Sequence, residues 1–200
     1  MTDHFFDVMK NRRSIYQIGG ECTVSDDRLI ELVEDAVIYT PTAFHSQSGR
    51  VILLLGEHHQ TLWDITEDTL RKLVPSQDSF ASTEAKLNSF RSGYGTILFF
   101  EDQGVVNQLQ NQFPLYKEHF PVWSEQASGI LQFILWCSLE VEGMGASLQH
   151  YNPLIDEAVK SEWKVLDNWK LVAQMPFGTL AAPAEERSFL PLAERVKIIR

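Results

Sequence analysis

Cysteine is nearly absent. The 200 residues hold two, Cys22 just after a glycine pair and Cys137 inside an apolar stretch, too distant in sequence and too few for a disulfide framework, so a reducing, cytoplasmic setting is expected. Basic residues are also sparse, 17 Lys and Arg against 27 Asp and Glu for a formal net charge of −10. Neutralising a phosphate backbone needs a concentrated basic face, which excludes nucleic acid as a partner. Long apolar runs are missing as well. The longest, Gly129–Trp136, is interrupted by Gln132 and falls far short of the ~20 residues that span a bilayer, so a membrane is not expected. Met1–Arg13 is broken by Asp3, Asp7 and Lys10 and does not read as a signal peptide.

Several motifs are wanting too. There is no GxGxxG after a strand, no GxxxxGK[ST], no GxSxG elbow, and no Cys or His pair at metal-ligand spacing, so dinucleotide-fold, P-loop, hydrolase and metal chemistry all lack support. His58-His59 follows an apolar run and reads as a solvated turn. No acidic residue stands in a setting that marks it as a raised-pKa acid.

What is present is enough apolar residue, 44% of the chain, for one domain spanning 1–200. Phe5, Phe6 and Met9 give a short helix ending at Arg12-Arg13. Ser25-Asp26-Asp27 caps a second, with Leu29, Ile30, Val33, Ala36 and Val37 on one face, stopped by Pro41. Val51–Leu55 and Thr96–Phe100 are apolar runs of strand length, expected to be covered on both faces. Leu62, Trp63, Ile65 and Leu70 fall at helical spacing, and Pro75–Thr83 reads as a mobile loop. From Pro121 to Glu142 the pattern is apolar almost all round, which requires burial on most sides, part of it supplied by a second subunit. Ala146–Gln149, Trp169–Gln174 and Glu194–Ile199 read as strands, with a helix opened by Pro153. Helices and strands mixed without strict alternation define an α+β sandwich, helices on both sides of one sheet.

Four polar clusters remain: Arg12-Arg13-Ser14, His45-Ser46-Gln47-Ser48, Ser147-Leu148-Gln149-His150, and Arg187. Singly each has an ordinary explanation. Arg12-Arg13 can complement a helix C-terminus, and Arg187 can be an exposed ion-pair partner.

In this order the clusters resemble the nitroreductase family over nearly the whole chain. Asn11–Tyr16 is similar to the family's basic-basic-Ser signature. Pro41–Ser48 is similar to its Pro-Ser segment, with His45 where Asn is usual and Ser48 where many members have Pro. Gly143-Met144-Gly145 resembles its glycine turn, and Met175–Gly178 followed by Arg187 resembles its C-terminal piece. Ser89–Thr96 with Phe99–Asp102 looks closest to the stress-linked subgroup related to fatty acid repression mutant proteins.

The resemblance implies a three-layer α/β/α sandwich with a mainly antiparallel sheet, and a homodimer in which the C-terminal strand is exchanged. It also implies FMN bound by Arg12, Arg13, Ser14, Tyr16, His45, Ser46, Gln47, Ser147, Leu148, Gln149, His150 and Arg187, with Arg195 a rival to Arg187 and His45–Ser48 reaching the cofactor from the partner. Forked guanidinium bonds suit a phosphate, and backbone N–H groups beside the ring tune its potential. The implied activity is ping-pong electron transfer from NADH or NADPH to nitroaromatics, quinones or similar small oxidants, with no catalytic side chain. The alternatives are a flavin-binding regulatory or stress-response protein with little turnover, and a fold relative that has lost FMN. Pro75–Arg91 is a candidate lining for the substrate entrance.

Overall fold

Alternation along one buried strand organises the two cores. In the computed structural model, which describes residues 2–73 and 77–200, β3 (Gly95–Asp102) is buried along its whole length. It pairs antiparallel with β2 (Gly49–Leu55) on one side and β5 (Trp169–Leu180) on the other. Ile97 and Phe99 point to a layer formed by α2 (Asp26–Tyr39) and α6 (Phe120–Val141), where they meet Leu29, Ala36, Leu131, Leu135 and Leu139. Leu98 and Phe100 point the opposite way, to α3 (Glu57–Arg71), α4 (Gln77–Arg91) and α7 (Asp156–Trp163), among Leu62, Trp63, Phe80, Leu87, Phe90 and Val159. The period of two thus puts one strand into both cores of a three-layer α/β/α sandwich.

β1 (Ile18–Gly19) and β4 (Gly145–Ala146) add to β5, giving the path β1-β5-β3-β2 with β4 off it, every pair antiparallel. The register along β5 slips once. Phe99 faces Ala173 and Phe100 faces Leu171, leaving Val172 as an extra residue. The bulge turns Leu171 to the α3/α4/α7 core while Ala173, Met175 and Phe177 face the α2/α6 core.

Local chemistry sets the helix ends. Ser25 Oγ accepts from Arg28 N–H at 3.3 Å at the start of α2. Gly143 takes φ +77° just past α6, a left-handed value that glycine adopts without strain. The Asp102 carboxylate accepts from the backbone of Gly104 and Val105 and so starts α5 (Gln103–Gln112), a helix the apolar pattern does not announce. α1 (Thr2–Asn11) runs straight into Arg12. Among the described residues no helix is long and apolar enough to cross a membrane.

Three expectations are corrected. The segment read as a loop from Pro75 to Thr83 is helical from Gln77 onward, the residues before it lying outside those described. Phe80, Leu87 and Phe90 supply a buried face there that outweighs the Ser- and Asp-rich composition. β2 is covered on both faces as expected, Val51, Leu53 and Leu55 packing on the α2/α6 core and Ile52 and Leu54 on the α3/α4/α7 core, although it is an edge strand and only Leu54 is fully buried. Glu194–Ile199 is no strand, because a strand needs a neighbouring edge. A short 3-10 turn at Leu192–Glu194 leads into an exposed tail instead. His59 sits on α3, fully buried. It bonds Thr96 Oγ1 (2.8 Å) and the Arg91 carbonyl (3.2 Å), and burial holds its pKa below the ordinary value.

Candidate functional site

The residues after α1 are stitched to the strand that follows α6. Ser14 bridges Ala146 in parallel, and Ile15 N–H donates to the Ala146 carbonyl at 2.9 Å. A Cβ on Gly145 would lie 2.8 Å from Ile15 Cγ2, so only glycine permits this approach. From there Ser147 and Gln149 turn their N–H groups to the Pro176 and Gln174 carbonyls of β5. In extended chain successive N–H groups alternate, so that of Leu148 faces away from β5. The side chains of Ser147 and Gln149 are buried and bonded to each other at 3.0 Å. Leu148 packs on the core, and His150 is exposed.

Beside this junction lies a cleft of about 420 Å³ lined by Arg12, Arg13, Ser14, Tyr16, Gln17 and the segment 182–187. Three guanidinium groups reach it. Arg13 donates to the Glu185 carbonyl, and Arg187 donates to the Lys10 carbonyl at 2.9 Å. Arg12 lies over the Trp136 indole, 4.3 Å from the ring centroid. Its Nε is buried and has no hydrogen-bond partner among the described residues. Burial holds the Arg12 pKa below its ordinary value, opposed by Cys137 and, to a lesser degree, reinforced by the cations of Arg187 and Arg13. A polar donor left unpaired in a cluster of like charge calls for an anion.

His45, Ser46 and Gln47 line none of that cleft. They belong to a one-turn segment in which Phe44, His45 and Gln47 have positive φ (56°, 52° and 49°), conformations disfavoured for residues with a side chain. The end of β3 clamps it. Ser48 Oγ donates to Glu101 Oε2 at 2.6 Å, and Arg50 donates to both the Gln47 carbonyl (2.7 Å) and Asp102 Oδ2 (2.8 Å). Phe44 is held between Phe113, Phe120, Tyr116 and Trp123, ring centroids 4.9–5.9 Å away. Arg195, on the exposed tail, is not among the cleft residues.

Sequence reasoning missed Glu101. It is 1% exposed, and burial pushes its carboxyl up to about 7, against the Ser48 and Ser124 hydroxyls and Arg50, with Glu125 adding to the rise. Its Oε1 has no hydrogen-bond partner among the described residues. The signal was a carboxylate directly after four apolar residues, Ile97–Phe100. Arg91, at the end of the segment offered as an entrance lining, is tied to Glu67 and Asp64 on α3.

A three-layer sandwich with a cleft between the N-terminal segment and the chain after β5, where Arg12, Arg13 and Arg187 stand beside Glu185 and Glu186, has a place suited to an anionic group. The chain belongs to the nitroreductase family, whose model it matches over residues 9–179. It is similar to the nitroreductase FRM2 of Saccharomyces cerevisiae, 32% identical over 192 residues covering 94% of each chain. FRM2 is the fatty acid repression mutant relative to which the subgroup resemblance pointed. Among solved structures it is similar to the nitroreductase CinD of Lactococcus lactis in complex with chloramphenicol (45% identity, TM-score 0.90) and with 4-nitrophenol (46%, 0.89), each alignment covering 98% of this chain and 100% of the other.

Proposed function

We propose that the protein is an FMN-dependent NAD(P)H oxidoreductase acting as a homodimer on nitroaromatics, quinones or similar small oxidants. The observation that carries this reading is the convergence of Arg12, Arg13, Ser14 and Arg187 on one cleft, at the junction where Ser14 bridges Ala146. The residues fit the group. Guanidinium forks and the Ser14 hydroxyl would hold the phosphate, with Tyr16 along the cleft wall, and Ser147–His150 would present backbone to the ring edge. The chemistry FMN supplies when bound is hydride acceptance from NADH or NADPH and delivery of electrons to the oxidant, in ping-pong order. The chain's part is to anchor, to orient and to keep bulk water from the ring. CinD's complexes with chloramphenicol and 4-nitrophenol, both nitroaromatics, support that acceptor class.

Two surfaces support the dimer. β2 leaves one edge unpaired within the chain, and the tail carries exposed Val196, Ile198 and Ile199, the last 84% accessible. A tail reaching the partner's β2 edge would cover both, and it accounts for the absence of a strand at 194–199 in a single chain. In that arrangement His45, Ser46 and Gln47 serve the partner's cleft.

The test is an absorbance spectrum of the purified protein, followed anaerobically as NADH or NADPH and then a nitroaromatic are added. Flavin bands that bleach and recover are expected. Bands that stay unbleached would turn the reading toward a regulatory flavoprotein, and a colourless protein indifferent to added FMN would end it.

A further inference from the structure

The turn at Phe44–Gln47 is held in a shape that its own residues resist. Phe44, His45 and Gln47 all take left-handed φ values, 56°, 52° and 49°, and none of them is the glycine that adopts such values without strain. The exposed side chains of His45 and Gln47 do nothing for the rest of the chain. Among the described residues the one side-chain bond between or from them runs from Gln47 Nε2 to the His45 carbonyl, at 3.4 Å and inside the turn. Strain kept at exposed residues with no duty inside the fold points outward, to something the turn meets.

The ties that hold it lead to the rigid part of the sheet. Thr42 Oγ1 accepts from the Gln47 N–H at 3.1 Å. Arg50 donates through Nη1 to the Gln47 carbonyl at 2.7 Å and through Nη2 to Asp102 Oδ2 at 2.8 Å, so one guanidinium joins the turn to the end of β3. Its direction is fixed from two sides. Its central carbon stands 5.7 Å from the Trp169 ring centroid on β5, and Asp102 is itself locked by the Gly104 N–H at 2.9 Å and by the Asn168 amide. A lysine could make one of these bonds but not the fork. Because the ties oppose the strain, the fraction of chains with the turn correctly shaped depends on them. A ligand that needs the shape loses apparent affinity by that fraction when a tie is cut.

We propose that Arg50 is a positioning residue for the partner subunit's cofactor site, fixing the Phe44–Gln47 turn against Asp102 in the shape that site receives, a role that rests on the dimeric, FMN-binding reading. Arg50 lines none of its own chain's Arg12 cleft, and it acts through the turn rather than by touching the cofactor. Its effect crosses the interface, whereas that of Arg187 stays within the cleft of its own chain.

The two directions separate in a mixed dimer. Chains carrying Arg50→Met and Arg187→Ala are co-expressed with different affinity tags and purified over both. The FMN-loaded mixed dimer, both variant homodimers and wild type are then diluted in steps, and the fluorescence of released FMN is followed. Each variant homodimer is expected to hold FMN about tenfold more weakly than wild type, the worth of one hydrogen bond to a charged group. In the mixed dimer one site combines the intact turn of the Arg187→Ala chain with the intact cleft of the Arg50→Met chain, so half of the flavin should be held as tightly as in wild type. A substitution that merely loosened its own chain would leave no such site. That result, or an Arg50→Met homodimer as tight as wild type, overturns the role. Should Arg50→Met fail to fold, Thr42→Val cuts the tie to the Gln47 N–H alone and is read in the same way. A wild-type chain that is monomeric or indifferent to FMN ends the oxidoreductase reading and this role with it, whereas a flavin-bearing wild-type dimer without a restored site in the mixed dimer ends this role alone.

Discussion

The Arg12 guanidinium rests on the Trp136 indole at 4.3 Å, and the same indole donates its N–H to the Ala146 carbonyl at 3.2 Å. One side chain of α6 therefore sets both the cation that heads the cleft and the strand that passes beside it.

Replacing Trp136 should show the two roles separately. Trp136→Phe keeps a ring under Arg12 and loses the bond to Ala146, whereas Trp136→Ala loses both. A stacked, partly desolvated cation contributes roughly 1–2 kcal/mol. FMN affinity, read by flavin fluorescence quenching, is expected to fall about tenfold in Trp136→Ala and less in Trp136→Phe; equal losses would mean that stacking contributes nothing.

Arg187 should discriminate phosphate from its absence. A charge-assisted hydrogen bond is worth about 1.5–3 kcal/mol, so Arg187→Ala is expected to weaken FMN by roughly ten- to a hundredfold and leave riboflavin, which has no phosphate, nearly unchanged. A parallel loss for both ligands would remove Arg187 from the phosphate.

Glu101 gives stability a pH dependence of known sign. Its carboxyl ionises near 4.5 when unfolded and is pushed up to about 7 by burial in the fold. The folded chain therefore binds the extra proton between those values, and the associated stability is complete below about 4.5 and lost as pH rises through 7. The loss is on the order of 3 kcal/mol. Melting temperatures of wild type should decline from pH 5 to pH 8 more than those of Glu101→Gln, and matching slopes would contradict the assignment.

Gly145→Ala should damage the junction without touching the cleft's charges. The added methyl would sit 2.8 Å from Ile15 Cγ2 and 2.9 Å from its Cβ, atoms close to the backbone that have little room to yield. Urea denaturation is expected to show a loss of about 1–3 kcal/mol, with a lower flavin content in the purified protein.

Removing residues 189–200 tests the dimer. Light scattering is expected to report a monomer with little bound flavin, because the exposed tail and the unpaired edge of β2 lose each other. A truncated chain that remains dimeric and yellow would place the interface elsewhere.

Much of this was legible beforehand. α2 and α6 follow from capping and apolar spacing, and β3 from a run of apolar residues between turns. The arginines of the cleft follow from two guanidinium groups and a serine at a helix end. Glu101 was hidden because alternation separates inside from outside only in a strand with one wet face, and β3 has none. α4 was hidden because its buried face is thin, three aromatic or aliphatic residues among polar ones, so packing rather than composition decides it. The tail at 194–199 has strand chemistry, but a backbone ladder is a property of two strands, and among the described residues no edge pairs with it.

The bulge at Val172 makes β5 one residue longer than its ladder with β3 requires. Loss of Val172 would leave Leu171 and Ala173 adjacent, each still on its present side. Loss of Gln174, two positions on, would rotate Met175 and Phe177 out of the α2/α6 layer and into the opposite one. Along this strand a change of chain length is tolerable at one position and ruinous beside it, so insertions and deletions are a sharper probe of β5 than any substitution.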